Sequence, residues 1–83
     1  MKEKNLIGVR VRIARKSAKP PITQKDLVAR LELQGLTVDQ SVISKIESGQ
    51  RPVLDYEVVA LAKALRVSSS WLLENSPETS ATT

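Results

Sequence analysis

Cysteine, histidine and phenylalanine are absent from the 83 residues, and the only aromatic side chains are Tyr56 and Trp71. Without thiols there is neither a disulfide framework nor a thiolate nucleophile; without imidazoles the usual general base is missing, and lacking both leaves no zinc-ligand set. The acids form no recognisable catalytic pair, so an enzyme is the weakest reading. Long apolar runs are missing as well. The lysines near the amino terminus are followed by no apolar stretch, which predicts neither a signal peptide nor a membrane span and points to a cytoplasmic protein. A chain of this length makes one domain, with no room for a second domain that would bind an inducer, so no cofactor and no small-molecule ligand are expected.

What remains is aliphatic and basic. Hydrophobic residues make up 41% of the chain, enough for a compact core of Leu, Ile, Val and Ala, which suits a small helical bundle without sheet. The net charge of +4 is unevenly placed: residues 1–52 hold 11 basic and 5 acidic side chains, and residues 53–83 hold 2 and 4. A one-sided positive charge suits a polyanionic partner, although solubility alone also accounts for a modest excess.

The stretch from Thr37 to Pro52 organises the rest. Asp39 is placed to cap a short helix and Gly49 to end it. At 100° per residue from Gln40, the side chains of Ser44, Ser48, Ser41 and Lys45 fall at about 40 to 140°, and Val42, Ile46 and Ile43 at about 200 to 300°. The polar face therefore carries an amide, small hydroxyls and an ammonium with no acid among them. Such groups donate to and accept from base edges, and their small size lets a backbone sit deep in a groove. For this segment in isolation, a capped surface helix is the simpler account.

In chain order, residues 1–4 form a flexible basic start, and Asn5 opens a first helix running to about Ala18. Ile7, Val11, Ala14 and Ala18 share its core face, Arg12, Arg15, Lys16 and Lys19 gather on one flank, and Leu6, Val9 and Ile13 form a third, partly buried group. Lys19-Pro20-Pro21 breaks this helix. Thr23 opens the second, with Asp26 completing a capping box, and the exposed amides at Gln24 are suited to a phosphate. The run from Leu31 to Asp39 links the second and third helices, with Gly35 at the turn, so the pair reads as a helix-turn-helix. Arg51 then lies on an exposed loop, as a phosphate contact or an ordinary surface arginine. Asp55 is the expected cap of a fourth helix from Tyr56 to about Arg66, with Val58, Leu61, Ala62 and Leu65 inward. Ser68 caps a last helix from Ser69 to about Glu74, where Trp71 serves the core or an interface, and residues 75–83 form a disordered tail.

With the helices placed, residues 5–74 resemble the Cro-like, or XRE-type, helix-turn-helix family of phage and bacterial repressors, a lambda-repressor-like domain of five helices. The resemblance rests on the spaced Arg10, Val11, Arg12 and Arg15, on TQKDL at Thr23 to Leu27, on SVISKIESGQRP at Ser41 to Pro52, on DYEVVALAKALRVS at Asp55 to Ser68, and on WLL at Trp71 to Leu73. It implies that Gln24 touches the DNA backbone and braces Gln40, the first residue of the recognition helix. It further implies base contacts from Gln40, Ser41, Ser44 and Lys45, with Lys45 directed at guanine, and a structural ion pair between Arg15 and Glu47. Backbone contacts are expected from Thr23, Gln24 and Arg51, with Arg12 and Lys16. Two departures stand out: Val28 where the family usually has alanine, and a longer linker before the recognition helix. The expected function is a sequence-specific regulator of double-stranded DNA, a repressor acting as a homodimer on a near-palindromic operator. The competing function is an antitoxin-like or adaptor module that uses the same helices to bind a protein partner through Leu6, Val9, Ile13 or the Trp71 end.

Overall fold

The computed structural model of the chain describes residues 6–73, and of residue 6 the backbone alone. The expectations for residues 1–4, the Asn5 cap, the Leu6 side chain, Glu74 and residues 75–83 lie outside that range. The described residues form five helices and no strand: α1 Leu6–Ser17, α2 Gln24–Leu33, α3 Gln40–Ser48, α4 Asp55–Leu65 and α5 Ser69–Leu73. The all-α, lambda-repressor-like expectation holds. α1 packs on α3, α4 and α5, while α2 packs on α3 and α4.

Local chemistry sets most of the boundaries. The Thr23 hydroxyl accepts from the Asp26 amide and the Asp26 carboxylate from the Thr23 amide, both at 3.0 Å, so the capping box opens α2. Asp39 accepts from the Val42 amide at 3.1 Å to open α3, and Gly49, at φ 82°, ends it in the left-handed region where a Cβ is disfavoured. The Ser68 hydroxyl accepts from the Trp71 amide at 3.0 Å and opens α5. The link between α2 and α3 is shorter than expected, because the second helix continues through Leu33 and leaves residues 34–39, with Gly35 at φ 86°.

The start of α4 is a correction. Asp55 lies inside the helix, its carboxylate accepting from the Tyr56 amide at 2.7 Å, and the cap position belongs to Leu54. Leucine has no oxygen with which to cap. Instead the Leu54 amide donates to Glu57 Oε1 at 2.9 Å, so an acid one turn into the helix reaches back to the backbone.

Val11, Leu27, Leu31, Ile43, Leu61 and Leu72 are the largest fully buried side chains, with Ile22 from the α1–α2 loop and Ile46, Val58, Ala62 and Leu65 also inside. Every helix contributes to this centre except through its polar face. Val28 is partly buried and packs against the core. The tightest approach lies between α1 and α3. Gly8 is buried, and a Cβ there would sit 2.0 Å from the Ile46 carbonyl oxygen and 3.2 Å from Glu47 Cα. Only glycine allows the two backbones to come so near.

Candidate nucleic-acid interface

Gln40, Ser41, Ser44 and Lys45 are all exposed on α3, opposite buried Ile43 and Ile46 and half-buried Val42. The Ser41 hydroxyl donates to Asp39 at 3.0 Å, and the Ser48 hydroxyl to the Lys45 carbonyl at 3.2 Å. The bond from the Val42 amide, with that from Ser41, holds the Asp39 carboxyl below its usual range, so the cap stays ionised at neutral pH. The outward face of the helix thus presents amide, hydroxyl and ammonium groups whose backbone is anchored from below.

The anchor is a polar chain across three helices. Arg15 Nε donates to Glu47 Oε2 at 2.7 Å and Arg15 Nη2 to Glu47 Oε1 at 2.8 Å, with side-chain exposures of only 10% and 6%. Arg15 Nη1 also donates to the Ile22 carbonyl at 3.1 Å, tying the proline-containing loop to the same point. The bonds to Glu47 raise the Arg15 pKa further above its ordinary value. Glu47 Oε1 accepts again from Gln24 Nε2 at 3.3 Å, and Gln24 Oε1 accepts from Gln40 Nε2 at 3.1 Å. Thus Arg15, Glu47, Gln24 and Gln40 are brought together in one line that ends at the exposed face.

Thr23 and Gln24 stand at the start of α2, where the first-turn amides and the helix dipole favour an anion. Arg12 and Lys16 are exposed on α1 and line a shallow open groove with Ile13 and Ser17, whose hydroxyl donates to the Ile13 carbonyl. Arg51 is placed differently from an open surface arginine. Its Nη1 and Nη2 donate to Glu57 Oε1 and Oε2 at 2.9 and 2.8 Å, and Nη1 also donates to the Pro52 carbonyl at 2.9 Å. The guanidinium expected as a phosphate contact or an ordinary surface arginine thus braces the α3–α4 loop, with its side chain 29% exposed.

Sequence reasoning missed Gly8 and Glu57. For the first, the signal is a glycine inside the first turn of α1, where a helix gains nothing from lacking a side chain. For the second, the signal was an acid three residues after a cap position that carries no hydroxyl. Two further contacts brace the scaffold: Arg30 Nη1 donates to the Ala64 carbonyl near the end of α4 at 3.0 Å, and the Arg10 guanidinium lies 4.6 Å from the centre of the Trp71 ring. Trp71 therefore ties α5 to α1.

A family model described as helix-turn-helix matches residues 11–72, from the middle of α1 into α5. The chain belongs to that family. It is a helix-turn-helix protein of the XRE or Cro-like type, and hence a DNA-binding regulator. The chain has no significant match among curated proteins or among solved structures. Among the described residues no group of acids could hold a metal ion, and no helix is long and apolar enough to cross a membrane. In this helix-turn-helix, α2 is the supporting helix and α3 the one that carries the exposed polar face.

Proposed function

We propose that the protein is a cytoplasmic, sequence-specific repressor that acts as a homodimer on a near-palindromic operator in double-stranded DNA. The observation that carries this reading is the acid-free, exposed set Gln40, Ser41, Ser44 and Lys45 on a helix pinned from beneath by Arg15, Glu47 and Gln24. In the proposal these four side chains meet base edges, with Lys45 directed at the O6 and N7 acceptors of guanine. Thr23, Gln24, Arg12 and Lys16 meet phosphates and fix the register without reading sequence. Arg51, held by Glu57 and partly exposed, adds a further phosphate contact from the adjoining loop. Two copies would place their reading helices about one helical turn, roughly 34 Å, apart.

The test is selection of genomic fragments by the purified protein, with footprints at two salt concentrations. The reading expects a discrete, near-palindromic footprint that weakens as salt rises, because phosphate contacts release counterions. Lys45→Ala should cost about 1–3 kcal/mol at the selected site and much less on random DNA. Equal losses on both would reject base reading by Lys45. One observation favours a second function, as an antitoxin-like or adaptor module. Val9 and Ile13 are 54% and 49% exposed on the outer side of α1, where a protein partner could cover them. Binding to such a partner would respond little to salt.

A further inference from the structure

Hydrogen-bond direction gives the polar line below α3 a second consequence, which rests on the DNA-reading function proposed above. An ionised carboxylate only accepts. Glu47 is fixed in place by two bonds from Arg15, whose charge is permanent, so the amide of Gln24 must turn its NH2 group towards Glu47. That amide is planar, which leaves its oxygen for the opposite side. The oxygen accepts from Gln40 Nε2 at 3.1 Å, so Gln40 has one amino hydrogen committed inward. What Gln40 has left to offer a ligand is its carbonyl oxygen and its second amino hydrogen.

We propose that Glu47, clamped by Arg15 and acting through Gln24, is a specificity-determining residue: it sets the donor–acceptor polarity that Gln40 presents to the DNA. One acceptor beside one donor complements the N6 amino group and N7 of adenine in the major groove. The reversed arrangement, in which the oxygen of Gln40 is bound inward and both amino hydrogens face out, complements the O6 and N7 acceptors of guanine instead. The two arrangements differ by a flip of each amide and need no movement of the backbone. Glu47 selects between them because it has no hydrogen to donate. Replacing it by glutamine supplies an amide that can donate or accept, and the selection is lost.

The experiment measures base preference with the full chain, by competition between operator fragments that differ at one base pair in each half-site. The proteins compared are the wild type, Gln40→Ala, Gln24→Ala and Glu47→Gln. A ratio between two fragments on one preparation is insensitive to any loss of folded protein. Gln24→Ala leaves the Arg15–Glu47 pair intact, so it cuts the relay even if Glu47→Gln folds poorly. The wild type should prefer adenine to guanine about fivefold or more at one position per half-site. Gln40→Ala, Gln24→Ala and Glu47→Gln should each bring that preference to about twofold or less while leaving the other positions of the operator unchanged. If only Gln40→Ala changes it, the relay is wrong and DNA reading stands. If the wild type shows no sequence preference at all, both the relay and the function beneath it fall.

Discussion

Arg15 and Glu47 join α1 to α3 through bonds of 2.7 and 2.8 Å, and Arg51 and Glu57 join the α3–α4 loop to α4 through bonds of 2.9 and 2.8 Å. The chemistry is the same in both pairs, and the surroundings differ. The first spans 32 residues and the second 6, so one closes the tertiary structure and the other a local turn. The Arg15 side chain is 10% exposed against 29% for Arg51. Beyond the pair, Glu47 leads through Gln24 to the reading face, whereas Glu57 ends on the Leu54 amide. An arginine–glutamate pair therefore says little by itself; its separation, burial and onward partner decide whether it supports function or a loop.

The comparison breaks most directly by truncating each arginine. Arg15→Ala leaves the Glu47 carboxylate nearly buried with the Gln24 amide still donating to it, and removes the tie to Ile22. A cost of about 3–5 kcal/mol is expected. Arg51→Ala should cost less, about 1–3 kcal/mol, because the lost partner was more exposed and Glu57 keeps the Leu54 amide. Urea unfolding of both variants checks the order. A larger loss for Arg51→Ala would mean that the loop, rather than the helix crossing, carries the fold.

Gly8 sharpens the same contrast from the backbone side. Gly8→Ala pushes a methyl group against the Ile46 carbonyl, and backbone cannot swing away as a flexible side chain can. A loss of about 1–3 kcal/mol is expected from overpacking. The displacement acts on α1 and α3, so the Arg15–Glu47 pair should be weakened and the Arg51–Glu57 pair left alone. Combining Gly8→Ala with each arginine truncation reads this out: the change should couple to Arg15→Ala and add independently to Arg51→Ala. Additivity with both would show that the close crossing does not position the first pair.

The two pairs also differ in how visible they were in the sequence. Capping residues made α2, α3 and α5 legible at Thr23, Asp39, Gly49 and Ser68, whereas α1 and α4 were legible through apolar periodicity. Arg15 and Glu47 were legible through the family resemblance, and Gln24 and Gln40 with them. Periodicity alone would not have paired residues 32 apart, because distance along a chain carries no sign of which helices cross. Arg51–Glu57 was hidden for the opposite reason. Asp55 is a good capping residue at a place where a cap is expected, and a carboxylate reaching back from inside the helix leaves no competing pattern in the sequence. Gly8 was missed because a single glycine marks a close approach only once the neighbouring helix is known. Val9 and Ile13, expected to be partly buried, are exposed instead, because an off-centre position on α1 does not tell whether another helix covers it.

The smallest effect concerns pH and separates the local pair from its surroundings. The Arg51 guanidinium, with help from the Leu54 amide, holds the Glu57 carboxyl below its usual range. A carboxyl held low in the fold binds its proton more weakly there than in the unfolded chain, so acid favours unfolding. Its contribution is complete above the unfolded value of about 4.3 and is lost as pH falls through the lower folded value. Asp26, accepting from the Thr23 backbone and hydroxyl, and Asp39, accepting from Val42 and Ser41, are lowered in the same sense, so acid sensitivity has several sources. Glu57→Gln should be less stable than the wild type at neutral pH yet lose less on acidification, with a slope smaller by up to about one proton below pH 4. Urea midpoints measured down the acid limb compare the two proteins. Parallel curves would mean that Glu57 carries no part of the pH dependence and that the helix caps account for it, leaving the Arg51 pair a matter of geometry rather than charge.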